Sequence, residues 1–338
     1  MVYAAIGGAG LVLVALVAHW VGARIRRRGM TPIDLEAVKA AGQRLATTSD
    51  GRRVAYVVYG RDDASAPVVV NIHGSGLDAG FEKGVHAQAC DGLGCRGIAI
   101  SLPGCGFTDQ KPGRRVRDWP REDLEAVLDA EAVDAFIITG HSQGTPHAMA
   151  AAATFPKRCV GLGLNAPLLP TALCEELGLD ATIGAGGTPT SESLRRPSMS
   201  WYFTVMSIAL GVLPPSVLGS VVKRGAPKVA GDRDLLGRLY ASMRRSVVRG
   251  TCGATWETAQ DTCFDWGIDV RALRHANACV WHADDDSAIP ASQGTWLAEH
   301  LGADHRHEAE GYGHMTYATG RYREPEHSMI RVLLSGRG

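Results

Sequence analysis

The chain has 338 residues, its 35 lysines and arginines balance 35 aspartates and glutamates, and 45% of its residues are hydrophobic. This composition is that of an ordinary globular protein and excludes a disordered or fibrous chain. The balanced charge gives no overall attraction to phosphate backbones, and no basic stretch is interleaved with aromatic residues. Nucleic acid is therefore not an expected partner.

The N-terminus has the composition of a membrane span. Residues 1–23 carry no charged side chain, and about 20 such residues are enough to cross a bilayer. Arg24, Arg26, Arg27 and Arg28 follow at once, which by the positive-inside rule leaves the N-terminus outside and the rest of the chain in the cytoplasm. We expect residues 1–29 to form a single-pass anchor. The alternatives are a cleaved signal, which normally has its basic residues before the apolar region, and a buried helix.

The eight cysteines show no pattern of a metal site. No two of them form a Cys-x-x-Cys pair, and none is grouped with histidines at the spacing of zinc ligands. We therefore predict no bound metal. With the domain on the cytoplasmic side, the cysteines are expected to be reduced thiols.

Beyond a polar connector, short apolar runs alternate with a helical pattern. Residues 121–128 have apolar side chains three and four apart, as an amphipathic helix requires. Strand-like runs occupy residues 53–59, 67–72, 97–100, 135–139, 159–164 and 278–281. This alternation predicts an α/β fold with a mostly parallel sheet. About 100 residues between the last two runs break the alternation and indicate an insertion.

A candidate nucleophile follows the fourth apolar run. The sequence Gly140-His141-Ser142-Gln143-Gly144 stands between that predicted strand and a helix rich in small residues. The two glycines allow a turn so tight that Ser142 is held exposed at the strand tip. The alternative is an ordinary turn serine.

A second glycine-rich turn can supply the donors that such a serine needs. His73-Gly74-Ser75-Gly76 ends the second apolar run, and its backbone N–H groups can point at a developing oxyanion. We expect the N–H groups of Ser75 and Gln143 to form the oxyanion hole. His73 is interpreted as a structural imidazole that hydrogen-bonds the loop.

A serine nucleophile also needs a base and an orienting carboxylate. Asp284, Asp285 and Asp286 follow the last apolar run, and His314 lies in a glycine-rich loop 28 residues after Asp286. The other nearby histidines, at 300, 305 and 307, are interpreted as solvated side chains on a helix end and an edge strand.

Together these motifs resemble the α/β-hydrolase fold superfamily, from about residue 40 to the C-terminus. The family's Gly-x-x-Asp-x-x-Val-Pro motif, with its proline on Pro290, implies that Asp286 is the acid, with Asp285 as the fallback. His314 matches the family's Gly-x-Gly-His. The resemblance implies a core of residues 40–167 and 271–338, with helices on both sheet faces and an inserted helical cap over 168–270.

The chain departs from the family's Asp-x-Pro-Gly-x-Gly-x-Ser pattern in one loop. Ser101 stands where aspartate is usual, and Thr108 stands where serine is usual. We expect altered hydrogen bonding within the loop and no effect on the catalytic assignment.

Within the predicted cap, residues 199–213 would form a helix with apolar side chains on nearly every face. They are expected to form a buried helix, and the alternative is a pocket wall or membrane-facing lid that admits an acyl chain. Arg244, Arg245 and Arg249 are expected on a solvated helical face.

The motifs and the resemblance together predict a serine hydrolase that cleaves carboxylic esters, lipid-like ones included, without a cofactor. Its partners would be a small ester or lipid and, through the N-terminal helix, the membrane. Alternatives of the same fold are a cofactor-free haloperoxidase-like enzyme and a C–C bond hydrolase. A non-catalytic binding protein is the alternative from another class.

Overall fold

The computed structural model describes residues 31–111, 113–181, 227–249, 266–308 and 310–336. The predicted anchor over residues 1–29 lies outside these ranges, and so do residues 182–226 and 250–265 of the predicted cap, including the apolar segment 199–213. Among the described residues, no helix has the length and apolar character that crossing a membrane requires.

The described residues form an eight-stranded sheet in the order β1-β2-β4-β3-β5-β6-β7-β8. The strands are β1 Arg44–Thr47, β2 Arg53–Gly60, β3 Val68–Ile72, β4 Arg96–Ile100, β5 Phe136–His141, β6 Cys159–Asn165, β7 Ala278–His282 and β8 Asp304–His307. Strand β2 pairs antiparallel with β1 and with β4, and all later pairs are parallel. The prediction of a mostly parallel sheet is confirmed.

The described α-helices are α1 Leu35–Ala40, α2 Ala79–Leu93, α3 Glu125–Ala130, α4 Gly144–Thr154, α5 Thr171–Leu177, α6 Pro227–Gly231, α7 Arg233–Ser246, α8 Ala291–Leu301, α9 Gly320–Arg323 and α10 Met329–Ser335. A π-helical turn, Pro120–Leu124, leads into α3, so the helix predicted over 121–128 is present with an irregular first turn. Short 3-10 turns cover Val116–Asp118, Val270–Ala272, Gly313–Ala318 and Pro325–His327.

Helices cover both faces of the sheet, because the buried strand residues alternate between two apolar layers. Val69 and Ile137 belong to the layer under α2 and α10. Val70, Ile72 and Ile138 belong to the opposite layer, under α3, α4 and α8. The parallel strands β3, β5 and β6 therefore end together at one edge, where their following loops meet.

Strand β1 does not appear among the sequence predictions. It has four residues, and only Ala46 among them is buried. A strand this short, at the edge of the sheet and mostly exposed, leaves no apolar run to detect.

Helix α7, in the region of the predicted cap, is bound to the core through two arginines. Arg245 pairs with the buried Asp78, with Nε 2.7 Å from Oδ2 and Nη2 2.9 Å from Oδ1. Arg249, just beyond the helix, is 5% exposed and lies 2.9 Å from Asp109. The expectation of a solvated arginine face is therefore wrong for Arg245 and Arg249, while Arg244 is exposed.

The cysteines of the described residues are buried free thiols, at positions 90, 95, 105, 159, 174 and 279.

Candidate active site

Ser142 lies at the tip of β5 in a strained turn. Its φ is +51°, in the left-handed region that residues with a side chain rarely adopt. The glycines on either side are required by space, because a Cβ on Gly140 would lie 2.5 Å from the carbonyl oxygen of Gly144, and one on Gly144 would collide with that of Ile72. The turn therefore packs β5, β3 and the start of α4 too closely for any other residue at these two positions.

The loop after β3 lies against this turn. A Cβ on Gly74 would be 3.2 Å from the Cβ of Ser142, so the backbone at Gly74 passes directly beside the serine. In the described part of the chain, neither the Ser75 N–H nor the Gln143 N–H donates to a protein acceptor. Gln143 caps the N-terminus of α4, where a helix leaves N–H groups free for an anion.

His73 is fully buried and holds the loop through both ring nitrogens. Its Nδ1 donates to the Gly74 carbonyl at 2.8 Å, and its Nε2 accepts from the Leu102 N–H at 2.9 Å. Burial lowers the pKa of His73, which favours the neutral ring that this arrangement requires. Both nitrogens are thus occupied by backbone groups, one in the same loop and one just after β4, and the imidazole is left no part in chemistry.

The loop that departs from the family pattern is hydrogen-bonded both within itself and to neighbouring elements. The Ser101 hydroxyl accepts from the Ala79 N–H at 3.1 Å. The Thr108 hydroxyl accepts from the Ala55 N–H at 2.9 Å and donates to the Ser101 carbonyl at 2.9 Å. The two substitutions therefore support the loop with different side chains.

His314 and Asp286 form a hydrogen-bonded pair. His314 Nδ1 lies 2.7 Å from Asp286 Oδ2, and Oδ1 of the same carboxylate accepts from the N–H groups of Ala288 at 2.7 Å and Ile289 at 3.1 Å. The Asp286 side chain is fully buried, whereas 22% of the His314 side chain is exposed. With Nδ1 donating to Asp286, His314 Nε2 is the nitrogen left to accept a proton.

Asp286 is held in its ionised form. Burial acts to raise the pKa of Asp286, but the charge of His314 and the hydrogen bonds from His282 and His314 outweigh it and lower that pKa well below its ordinary value. A permanently negative carboxylate beside an imidazole stabilises the imidazolium that forms when the ring accepts a proton.

Asp285 contacts the same loop at a different point. Its Oδ2 accepts from the N–H groups of Gly311 at 2.6 Å and Gly313 at 3.4 Å, so it binds the backbone that carries His314. Among the described residues, the Asp285 side chain makes no hydrogen bond with the His314 ring. Asp284 is exposed. Of the three aspartates, the structure brings Asp286 to His314.

Two further histidines surround the pair and were not singled out by the sequence. His141 Nε2 is 3.0 Å from the carbonyl oxygen of His314, and its ring stacks on Tyr317 at a centroid distance of 4.0 Å. Burial, then the charge of His314, holds the pKa of His141 well below its ordinary value. His282 Nε2 lies 3.3 Å from Asp286 Oδ2. Their only signals in the sequence are their positions, one before Ser142 and four before Asp286.

The structure thus gathers Ser142, the two free N–H groups and the His314–Asp286 pair at one edge of the sheet. In the described residues no hydrogen bond joins the Ser142 hydroxyl to His314. Such contacts commonly tighten only when substrate binds. Among the described side chains, no group of three His, Cys, Asp or Glu is arranged to hold a metal ion.

The comparisons with known proteins agree with this architecture. Residues 67–216 match the family model described as alpha/beta hydrolase fold. No curated protein sequence matches the chain. The recognition made from the motifs is confirmed: residues 67–216 match this family, and the solved structures described next share the α/β-hydrolase fold with the chain.

Solved structures of the same fold cover most of the chain. The esterase RhEst1 from Rhodococcus sp. ECU1013 is 20% identical, with a TM-score of 0.61 over 88% of this chain and 100% of the esterase. The enol-lactonase from Burkholderia xenovorans LB400 is 16% identical, with a TM-score of 0.57 over 81% of this chain and 94% of the lactonase. Est816, an N-acyl homoserine lactone degrading enzyme, is 20% identical, with a TM-score of 0.58 over 87% of this chain and 100% of Est816. At these identities the likeness establishes the fold.

Proposed function

We propose that the protein is a serine hydrolase that cleaves carboxylic esters. The observation that carries the proposal is the strained Ser142, set beside two unbonded backbone N–H groups and close to a buried carboxylate–imidazole pair. A strained turn that holds a hydroxyl at a strand tip persists only where the surrounding structure enforces it, and such strain is concentrated at active sites.

In the proposed reaction Ser142 Oγ attacks the ester carbonyl carbon. His314 Nε2 takes the serine proton, and Asp286 stabilises the resulting imidazolium through the 2.7 Å hydrogen bond to Nδ1. The N–H groups of Ser75 and Gln143 bind the tetrahedral oxyanion. The imidazolium then protonates the departing alcohol, leaving an acyl group on Ser142.

Water completes the cycle. His314 removes a proton from a water molecule, which attacks the acyl carbonyl, and the same two N–H groups bind the second oxyanion. Collapse of this intermediate returns the proton to Ser142 and releases the carboxylic acid. These steps need no cofactor.

The substrate class is an ester, open-chain or cyclic. Of the three structural neighbours described above, two are named for lactones and one is named an esterase, and a lactone is a cyclic ester that the same acyl chemistry opens. From the sequence of residues 1–29 we also propose a single-pass membrane anchor, with the domain on the cytoplasmic side. A position at the membrane makes lipid-like esters reasonable candidate substrates.

The test is hydrolysis of a panel of p-nitrophenyl esters of increasing acyl length, together with short lactones. We expect turnover by the wild type and a loss of at least about 1,000-fold with Ser142→Ala. Ser49→Ala is the matched control, because Ser49 is an exposed serine in the turn between β1 and β2. Equal rates for wild type and Ser142→Ala would refute the proposal, and a folded wild type without turnover would favour a binding protein.

A further inference from the structure

His282 is a buried polar residue that the proposed reaction leaves without a role. It ends β7, and none of its side chain is exposed. The chain turns tightly after it, with the Asp286 N–H donating to the Ala283 carbonyl at 3.1 Å. This turn brings the side chain of Asp286 back toward His282.

The contacts of His282 fix its tautomer. Nε2 lies 3.1 Å from the Ile289 carbonyl oxygen and 3.3 Å from Asp286 Oδ2. Because a carbonyl oxygen only accepts, Nε2 must carry the proton, and it donates to both oxygens. Nδ1 then has no proton, and in the described residues it has no partner. It faces Gly294, where any Cβ would collide with it.

Each oxygen of the Asp286 carboxylate therefore accepts two hydrogen bonds. Oδ2 accepts from His282 Nε2 and from His314 Nδ1, and Oδ1 accepts from two backbone N–H groups. A rotation of the carboxylate would break bonds at both oxygens at once. Without His282, Oδ2 would keep only the hydrogen bond from His314 among the described residues.

We infer that His282 is a positioning residue for the proposed triad, which holds Asp286 Oδ2 against His314 Nδ1 by donating a second hydrogen bond to it. The inference rests on the proposed function. His282 contacts neither Ser142 nor the oxyanion loop among the hydrogen bonds of the described residues. Its effect falls on the step in which His314 becomes charged, so it changes kcat and leaves KM almost unaltered.

Two variants separate hydrogen bonding from packing. His282→Leu has a similar volume and no donor, whereas the side-chain amide of His282→Gln can place an N–H near the former Nε2. We expect kcat to fall about 10- to 100-fold in His282→Leu, with KM within about 3-fold, and most of kcat to return in His282→Gln. Wild-type kcat in His282→Leu, or an equal loss in both variants, would overturn the inference.

An NMR measurement tests the inference without turnover, and its tautomer readout needs only the wild type. In protein labelled with ¹⁵N at histidine, NMR reports which ring nitrogen of His282 is protonated, and it resolves the strongly deshielded proton of the His314–Asp286 hydrogen bond. We expect the Nε2–H tautomer, and a His314 proton that shifts in His282→Leu and is restored in His282→Gln. An Nδ1–H tautomer would overturn the inference. Failure of ester turnover with the expected spectra would instead refute the proposed function alone.

Discussion

Replacing each of the two neighbouring aspartates by asparagine tests how the structure divides their roles. In Asp286→Asn the side chain keeps its volume, but it has one acceptor oxygen instead of two. The N–H groups of Ala288 and Ile289 require that oxygen at the Oδ1 position. The amide NH₂ group therefore takes the Oδ2 position and faces His314 Nδ1.

This orientation places two donors against each other, so His314 must adopt the tautomer that accepts at Nδ1 and carries its proton on Nε2. The nitrogen that should receive the serine proton is then already protonated. A comparable change in a serine protease triad lowers kcat by about 10⁴, and we expect a similar loss here, about 5 kcal/mol of transition-state stabilisation.

Asp285→Asn is predicted to be far milder. An amide oxygen can still accept from the Gly311 N–H, and the loss is the difference between a charged and a neutral acceptor, about 1 kcal/mol. We expect kcat to fall by no more than about 10-fold. The assay is kcat and KM for p-nitrophenyl butyrate. A loss in Asp285→Asn equal to or larger than that in Asp286→Asn would refute the assignment of the acid.

Three further predictions concern stability, each measured as the free energy of unfolding in urea. Arg245→Ala leaves the buried Asp78 carboxylate without its cation and should cost about 3 kcal/mol, whereas Arg244→Ala, on the exposed side of α7, should change stability by less than about 0.5 kcal/mol. Gly144→Ala forces a Cβ onto a backbone carbonyl and should cost about 3 kcal/mol or more, whereas Gly237→Ala, a helical glycine with open space around it, should be neutral or stabilising. Burial lowers the pKa of His73, His141 and His147, that of His147 to about 3, so the unfolded chain binds protons that the folded chain excludes. Stability should therefore fall as the pH drops below about 6.5, by up to about 1.4 kcal/mol per pH unit for each histidine.

Each of these predictions has an outcome that would contradict it. Equal stabilities of Arg244→Ala and Arg245→Ala would mean that the Asp78 pair does not bind α7 to the core. A stable Gly144→Ala variant would argue against the close packing of the turn on β3. A free energy of unfolding that stays constant from about pH 7 to about pH 5 would argue against three neutral, buried imidazoles.

The sequence was informative where local pattern and chemistry coincide. Apolar runs predicted six strands of the sheet because buried parallel strands have nearly continuous hydrophobic sequences. The turn around Ser142 was predictable because only glycine fits the two flanking positions. Asp286 was preferred over Asp285 through the spacing to Pro290 in the resemblance, since composition alone treats the neighbouring aspartates alike.

What the sequence did not predict depends on contacts between distant segments. Arg245 is 167 residues from Asp78, and nothing in its own helix distinguishes it from the exposed Arg244. His141 and His282 are ordinary residues in their strands, and their roles arise only when the loop of His314 folds over the ends of β5 and β7. Burial and hydrogen-bond partners of this kind are properties of the three-dimensional structure.

The most direct test of the central claim is reaction with a fluorophosphonate, which phosphonylates only a serine activated by a neighbouring base. The labelled protein would be digested, and the modified peptide would be identified by mass spectrometry. The account predicts a single phosphonyl group on Ser142, no labelling of Ser142→Ala, and strongly slowed labelling of Asp286→Asn. A folded wild type that is not labelled, or a label that persists at another residue in Ser142→Ala, would contradict it.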